Sequence, residues 1–139
     1  MSATQNVHKF GKGNVKVWDV TLTVETAQTT ATCTSTDSFA GHVTKVELDP
    51  GTLAGNFTLK GYEANTPLAT GTRDHFIDYT VATAVELVMY PRRDVSVKNT
   101  GAALTVPVSS EISVCDQLRL DLAAAVAANV LRVRVYIEE

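Results

Sequence analysis

A net charge of -3 at pH 7 over 139 residues, with twelve Lys and Arg that are scattered along the chain, leaves no basic patch for nucleic acid or anionic lipid. Apolar residues at 45% and charged residues at 19% exclude a disordered chain or a coiled coil, and fit one globular domain with its own core. No run nears the ~20 apolar residues of a membrane-spanning helix, and the polar stretch 1–13 has no apolar signal segment, so a cytoplasmic protein is expected unless an assembly carries it out.

Residues 1–14 carry Gly11 and Gly13, few apolar side chains and no period, and read as an arm preceding a β-sandwich domain of residues 15–139. An arm of this kind frays unless Val7, His8 and Phe10 dock on a neighbouring subunit, since Phe10 is a large apolar group to leave in water. Strands begin at Val15. The apolar phase flips at Val17-Trp18, which predicts a bulge or bend there. Thr26–Ala40 is rich in Thr and Ser and reads as a loop with some edge pairing. Val43–Leu48, with Thr44, Val46 and Leu48 on one face, and Asn56–Tyr62 are strands joined across an Asp49-Pro50-Gly51 turn.

His75–Tyr79 is a short strand, and Val85, Leu87 and Met89 share one face of another that Pro91 ends. Arg92-Arg93-Asp94 is a charged turn, and Val95–Val97 and Leu104–Val108 form a hairpin through Asn99-Thr100-Gly101. Leu118, Leu120 and Leu122 alternate as a strand, although Ala123–Ala128 also suits a helical turn. The last stretch, Asn129–Glu139, alternates Leu131, Val133, Val135 and Ile137 against Arg132, Arg134 and Tyr136, and reads as a half-buried strand. The fold class is therefore all-β: an antiparallel β-sandwich or jelly roll of about eight to ten short strands with an N-terminal arm.

Catalytic and metal chemistry find little purchase. His8, His42 and His75 make no close ligand pair, so neither metal nor cofactor is expected. Arg73-Asp74-His75 with Asp78 is the densest polar cluster and reads as a solvated strand entry. Cys33 and His42 are the one Cys-His pair close in sequence, in a Thr-rich setting that would not lower a thiol pKa, and Cys33 and Cys115 are expected as free thiols. The Asn56-Phe57-Thr58 sequon is expected to go unused without a signal peptide. Arg92-Arg93 reads as a solvated turn ahead of a phosphate contact.

The row Arg132, Arg134, Tyr136 stays open among three readings. It is a solvated face, an interface built from two residue types that interfaces favour, or charge that protects an edge strand. Trp18 reads as core, and a sugar-stacking role for Trp18 or Tyr62 belongs to an alternative: a carbohydrate- or receptor-binding sandwich.

The arm before the first strand, Val85-Glu86-Leu87-Val88-Met89-Tyr90-Pro91 with its charged turn, the leucine-alternating strand and the closing Leu131–Ile137 together resemble the head decoration, or cement, proteins of tailed bacteriophages. The resemblance covers most of the chain as a pattern. It implies a non-enzymatic, β-rich virion protein, assembled in the host cytoplasm as a homotrimer, that bridges capsomers by binding the major capsid protein on the capsid surface. On that reading, deleting residues 1–13 would abolish shell binding and leave the fold intact.

Overall fold

The computed structural model describes residues 3–10, 14–25, 28–51, 56–65, 75–81, 86–97, 103–124 and 130–139, with the backbone alone for 10, 81, 93–97, 103–110 and 124. Among them are twelve strands: β1 (Ala3–Phe10), β2 (Val15–Thr23), β3 (Thr30–Ser38), β4 (Gly41–Asp49), β5 (Phe57–Glu63), β6 (His75–Val81), β7 (Leu87–Met89), β8 (Arg93–Val97), β9 (Ala103–Ser110), β10 (Ile112–Val114), β11 (Gln117–Ala124) and β12 (Val130–Glu138). The number exceeds the expected eight to ten because β1, β3 and the three-residue β7 and β10 carry weak apolar signals of their own.

The large sheet runs β1-β2-β12-β4-β10, with β7 also paired to β4; the small sheet runs β3-β11-β5-β6; β8 and β9 form a separate hairpin. Every pairing is antiparallel. The two main sheets enclose one core. Trp18, Val20, Leu22, Val46, Leu131, Val133, Val135 and Ile137 come from the large sheet, and Leu59, Phe76, Ile77, Leu118, Leu120 and Leu122 from the small one. The sandwich follows from alternation in both sheets, since each strand's apolar set points to one side.

The terminal strand sits at the centre of the large sheet, between β2 and β4, and its Leu131, Val133, Val135 and Ile137 are fully buried. β12 is thus no edge, and the edge-protection reading of its charged residues falls. The arm needs correction too. Residues 3–10 are a strand in unbroken register with β2, from Ala3↔Leu22 to Phe10↔Val15. Polar alternation of Thr4, Asn6 and His8 against Ala3, Gln5 and Val7 disguises it, because among its described side chains only Ala3 and Val7 are apolar groups packed on the core.

Thr26–Ala40 is likewise mostly strand. In β3, Ala31, Cys33 and Ser35 face inward and Thr30, Thr32, Thr34 and Thr36 outward, so small inward residues hide an ordinary alternation. No bulge interrupts β2 at Val17-Trp18; Val17, buried outside the core cluster, faces away from it beside Tyr136 and His8. The irregularity lies instead in β4. There the pairing steps from Lys45↔Tyr136 to Val43↔Ile137, so Thr44 is the extra residue and both Val43 and Val46 reach the core. The expected charged turn also shifts, with Arg93 and Asp94 already inside β8, while Asn99-Thr100-Gly101, Val85, Arg73-Asp74 and most of the Ala123–Ala128 question lie outside the described residues.

Two close approaches pack neighbouring strands within a sheet, β5 on β6 and β4 on β12. A β-carbon on Gly61 would lie 2.8 Å from the Phe76 ring, and one on Gly41 would lie 2.1 Å from the Glu138 carbonyl oxygen. Glycine is required at both by packing. Between the sheets, the Gln5 side chain acts as a bridge. Its Oε1 accepts the Trp18 indole N–H at 3.0 Å and the Thr36 N–H at 3.2 Å, while its Nε2 donates to the Thr34 carbonyl at 3.0 Å. One amide thereby satisfies a buried indole and two main-chain groups of β3.

Candidate binding face

Register places three rows of side chains across the outer face of the large sheet. The first is Thr4, Thr21, Arg132 and Asp49; the second is Asn6, Asp19, Arg134, Glu47 and Val88; the third is His8, Val17, Tyr136 and Lys45. Residues directly opposite on antiparallel strands share a face at a few ångströms, so each row is a line of contacts. Of the residues singled out in sequence, His8, Arg132, Arg134 and Tyr136 come together on this face. Val7 does not: it points inward and packs on its own core, which corrects its assignment to a neighbouring subunit. The Phe10 side chain lies outside the described set.

Asp19 organises the face. Its side chain is 10% exposed and receives Arg132 Nε at 3.0 Å and Nη2 at 2.7 Å, a two-pronged pairing, together with Arg134 Nε at 3.2 Å. The hydrogen bond from Arg132 holds the Asp19 carboxyl below its ordinary 3.8, against the opposing effect of burial. Neither strand pattern revealed this. Asp19 sits in the apolar run Val17–Val20, and the sign of its importance was a carboxylate flanked by buried residues.

A second group adjoins the first. The Tyr136 hydroxyl hydrogen-bonds Glu47 and lowers its pKa, Lys45 Nζ lies 3.2 Å from Glu47 Oε1, and that ammonium stands 4.2 Å from the centre of the Tyr136 ring. Burial, then Glu47, raises the Tyr136 hydroxyl. The charges on this face are therefore held in fixed positions by partners on three strands.

At one margin of this face, beside β4, lies a groove of about 260 Å³ lined by Glu47, Asp49, Glu86, Val88, Arg132 and Arg134. Val88 and Tyr90, 49% and 66% exposed, are the large hydrophobic side chains left in water among the described residues; Val88 lies on β7, which pairs with β4, and Tyr90 directly follows that strand. The combination is a preset ionic lattice with an apolar rim, suited to binding.

Other candidates look different in three dimensions. Trp18 is fully buried and Tyr62 is 2% exposed, so neither offers a ring to a sugar. Cys33 is buried, with its thiol pKa pushed up by burial, the opposite of an activated nucleophile. Cys115 is exposed, and both thiols are free. Arg92 pairs with Glu111 at 3.5 Å, and Glu111 also approaches His42. Among the described residues no group of three His, Cys, Asp or Glu is placed to hold a metal ion.

Because folding lowers the pKa of Asp19, its contribution is present above its unfolded value near 3.8 and is lost as pH falls through the lower folded value. Glu47 acts with the same sign from its ordinary 4.5. Melting curves taken from neutral pH down to about pH 2.5 should therefore show Tm falling below about pH 4, and Asp19→Asn should flatten that fall. An unchanged acid limb in the variant would show that Asp19 is not the group responsible.

No family model and no curated protein matches the chain. Two solved structures are similar to it over 97% of its length: the Drosophila melanogaster CENP-C cupin domain, at 11% identity, TM-score 0.22 and 75% of that chain, and Drosophila melanogaster CENP-C bound to CAL1, at 10% identity, TM-score 0.17 and 81% of that chain. At those TM-scores the likeness carries no argument about this protein.

Proposed function

We propose that this chain is a structural virion protein that decorates and stabilises a phage capsid by bridging capsomers, working by binding alone. The partners are further copies of itself, as a homotrimer, and the major capsid protein, and the site of action is the capsid surface after assembly in the host cytoplasm. The observation that supports the reading is the outer face of the large sheet, where Asp19 and Glu47 fix Arg132, Arg134, Tyr136 and Lys45 beside the exposed Val88 and Tyr90. Preset charges lose little freedom on docking, and an exposed tyrosine and valine supply the apolar contact that affinity requires. A lattice multiplies modest contacts, so the face need not be large.

The test is co-sedimentation with expanded shells assembled from the major capsid protein, alongside light scattering of the free protein. Wild type should pellet with shells, and Val88→Asp combined with Tyr90→Ser should weaken binding by about a hundredfold through loss of two apolar anchors. Melting temperature should stay within a few degrees, because both side chains already face water. A wild-type protein that is a strict monomer and fails to pellet would overturn the proposal.

A further inference from the structure

The outer face of the small sheet carries a second concavity, of about 530 Å³, within the ~300–1,000 Å³ usual for small-molecule sites. Thr30, Thr32, Thr58, Lys60, Arg119 and Asp121 line it, with Ala123 in the row between Thr30 and Thr58. Ala123 explains the depression. It is the short side chain in a row whose neighbours on β11 are Asp121 and Arg119, so the face dips where the long side chains stop.

Its polar groups are preset. The hydroxyl of Tyr62, a buried residue, donates to Asp121 Oδ2, and Arg119 Nε donates to Asp121 Oδ1 at 2.8 Å. That arrangement fixes a carboxylate and a guanidinium on one strand. Lys60 stands on β5 opposite Asp121 on one side and Asp78 on the other, so the charges balance locally. The balance argues against a polyanion or polycation, and hydroxyls and ions set among the apolar surface of threonine methyls, Leu122 and Ala123 call for a ligand with both polar and C–H faces. Donors and acceptors side by side, with threonine methyls and Ala123 for the C–H face of a ring, match a neutral polyhydroxylated molecule.

We propose that this groove binds a neutral carbohydrate, with Asp121 accepting from sugar hydroxyls, Lys60 and Arg119 donating to ring or hydroxyl oxygens, and Thr32 and Thr58 completing the set. The site lies on the opposite sheet from the shell-docking face and does not depend on it. It also needs no exposed aromatic, so no stacking residue marks it in the sequence.

The experiment titrates the intact protein with neutral oligosaccharides of glucose, galactose and N-acetylglucosamine by NMR, with a hexuronic acid oligomer as the charged comparison. At least one neutral sugar should shift the amide signals of Thr32, Lys60, Arg119 and Asp121. Lys60→Ala and Thr32→Val, both at solvent-facing positions, should each weaken its binding by about three- to tenfold, the loss of one or two hydrogen bonds. Asp121→Asn should weaken it further, and retention of the wild-type amide spectrum outside the groove will show that the variant is folded. No binding by any neutral oligomer, preference for the uronic acid, or shifts that map away from β3, β5 and β11 would each overturn the proposal.

Discussion

Deletion of residues 1–13 should lower the melting temperature by on the order of 10 °C, rather than trim a free arm and leave the sandwich untouched. Three losses combine. The β1 ladder disappears and leaves the β2 edge unpaired over its length. Ala3 and Val7 no longer cover the core. The Trp18 indole N–H, in a side chain with no exposed surface, loses Gln5 as its acceptor, at about 1–3 kcal/mol for an orphaned buried donor. Gln5→Ala in the full-length chain isolates the last of these and should reproduce a part of the loss, seen as a smaller fall in Tm and a change in Trp18 fluorescence. A truncated protein that melts within about 2 °C of wild type would mean that β1 contributes little to the fold.

The paired substitution Arg132→Ala and Arg134→Ala should destabilise the protein more than Asp19→Ala does, even though Asp19 is the group both arginines share. The guanidiniums are 49% and 40% exposed at the side chain and can return to water when Asp19 is removed. The Asp19 carboxylate, 10% exposed beneath the arginines, regains only the water that their truncation admits, and with no cation left to pair with it the loss is on the order of 1–3 kcal/mol. Urea denaturation of the two variants at neutral pH measures the order directly. The double-arginine variant should also gain stability on mild acidification, as its stranded carboxylate is protonated, where wild type loses it. Equal midpoints for the two variants, or a greater loss in Asp19→Ala, would contradict this account of the face.

Alternation made most of the sandwich legible. β4, β5, β11, β12 and the hairpin of β8 and β9 all announce themselves by period two in large apolar residues, and the Asp49-Pro50-Gly51 turn by its chemistry, with Gly51 at φ +54° and its N–H bonded to Asp49 Oδ1. Strands whose inward residues are small or polar do not announce themselves. Ala31, Cys33 and Ser35 in β3, and Ala3, Gln5 and Val7 in β1, alternate as regularly as the leucines of β11, but burial of a small group leaves little hydrophobic contrast to read. The same limit applies to the face. Arg132, Arg134 and Tyr136 stand out by type within one strand, whereas Asp19, Glu47 and Lys45 acquire their meaning only when β12, more than 80 residues further along the chain, is laid alongside β2 and β4. Val17 misled for a related reason: an outward-facing valine covered by its neighbours looks, in one dimension, like a change of phase.

Pairing of β12 with both β2 and β4 bears on how the molecule comes into being. The ion pairs of Asp19 join residues 113 and 115 positions apart, and the strand that supplies the arginines fills the middle of the large sheet. Until that strand is available, β2 and β4 have no common partner and each presents an open edge with apolar inward residues. Loop closure over such distances is slow compared with local hairpin formation. On a ribosome, the half-built sheet must therefore wait with unsatisfied edges until residue 138 has cleared the exit tunnel. Folding is expected as a late, cooperative event, and nascent chains stalled before β12 should be soluble only with a chaperone bound.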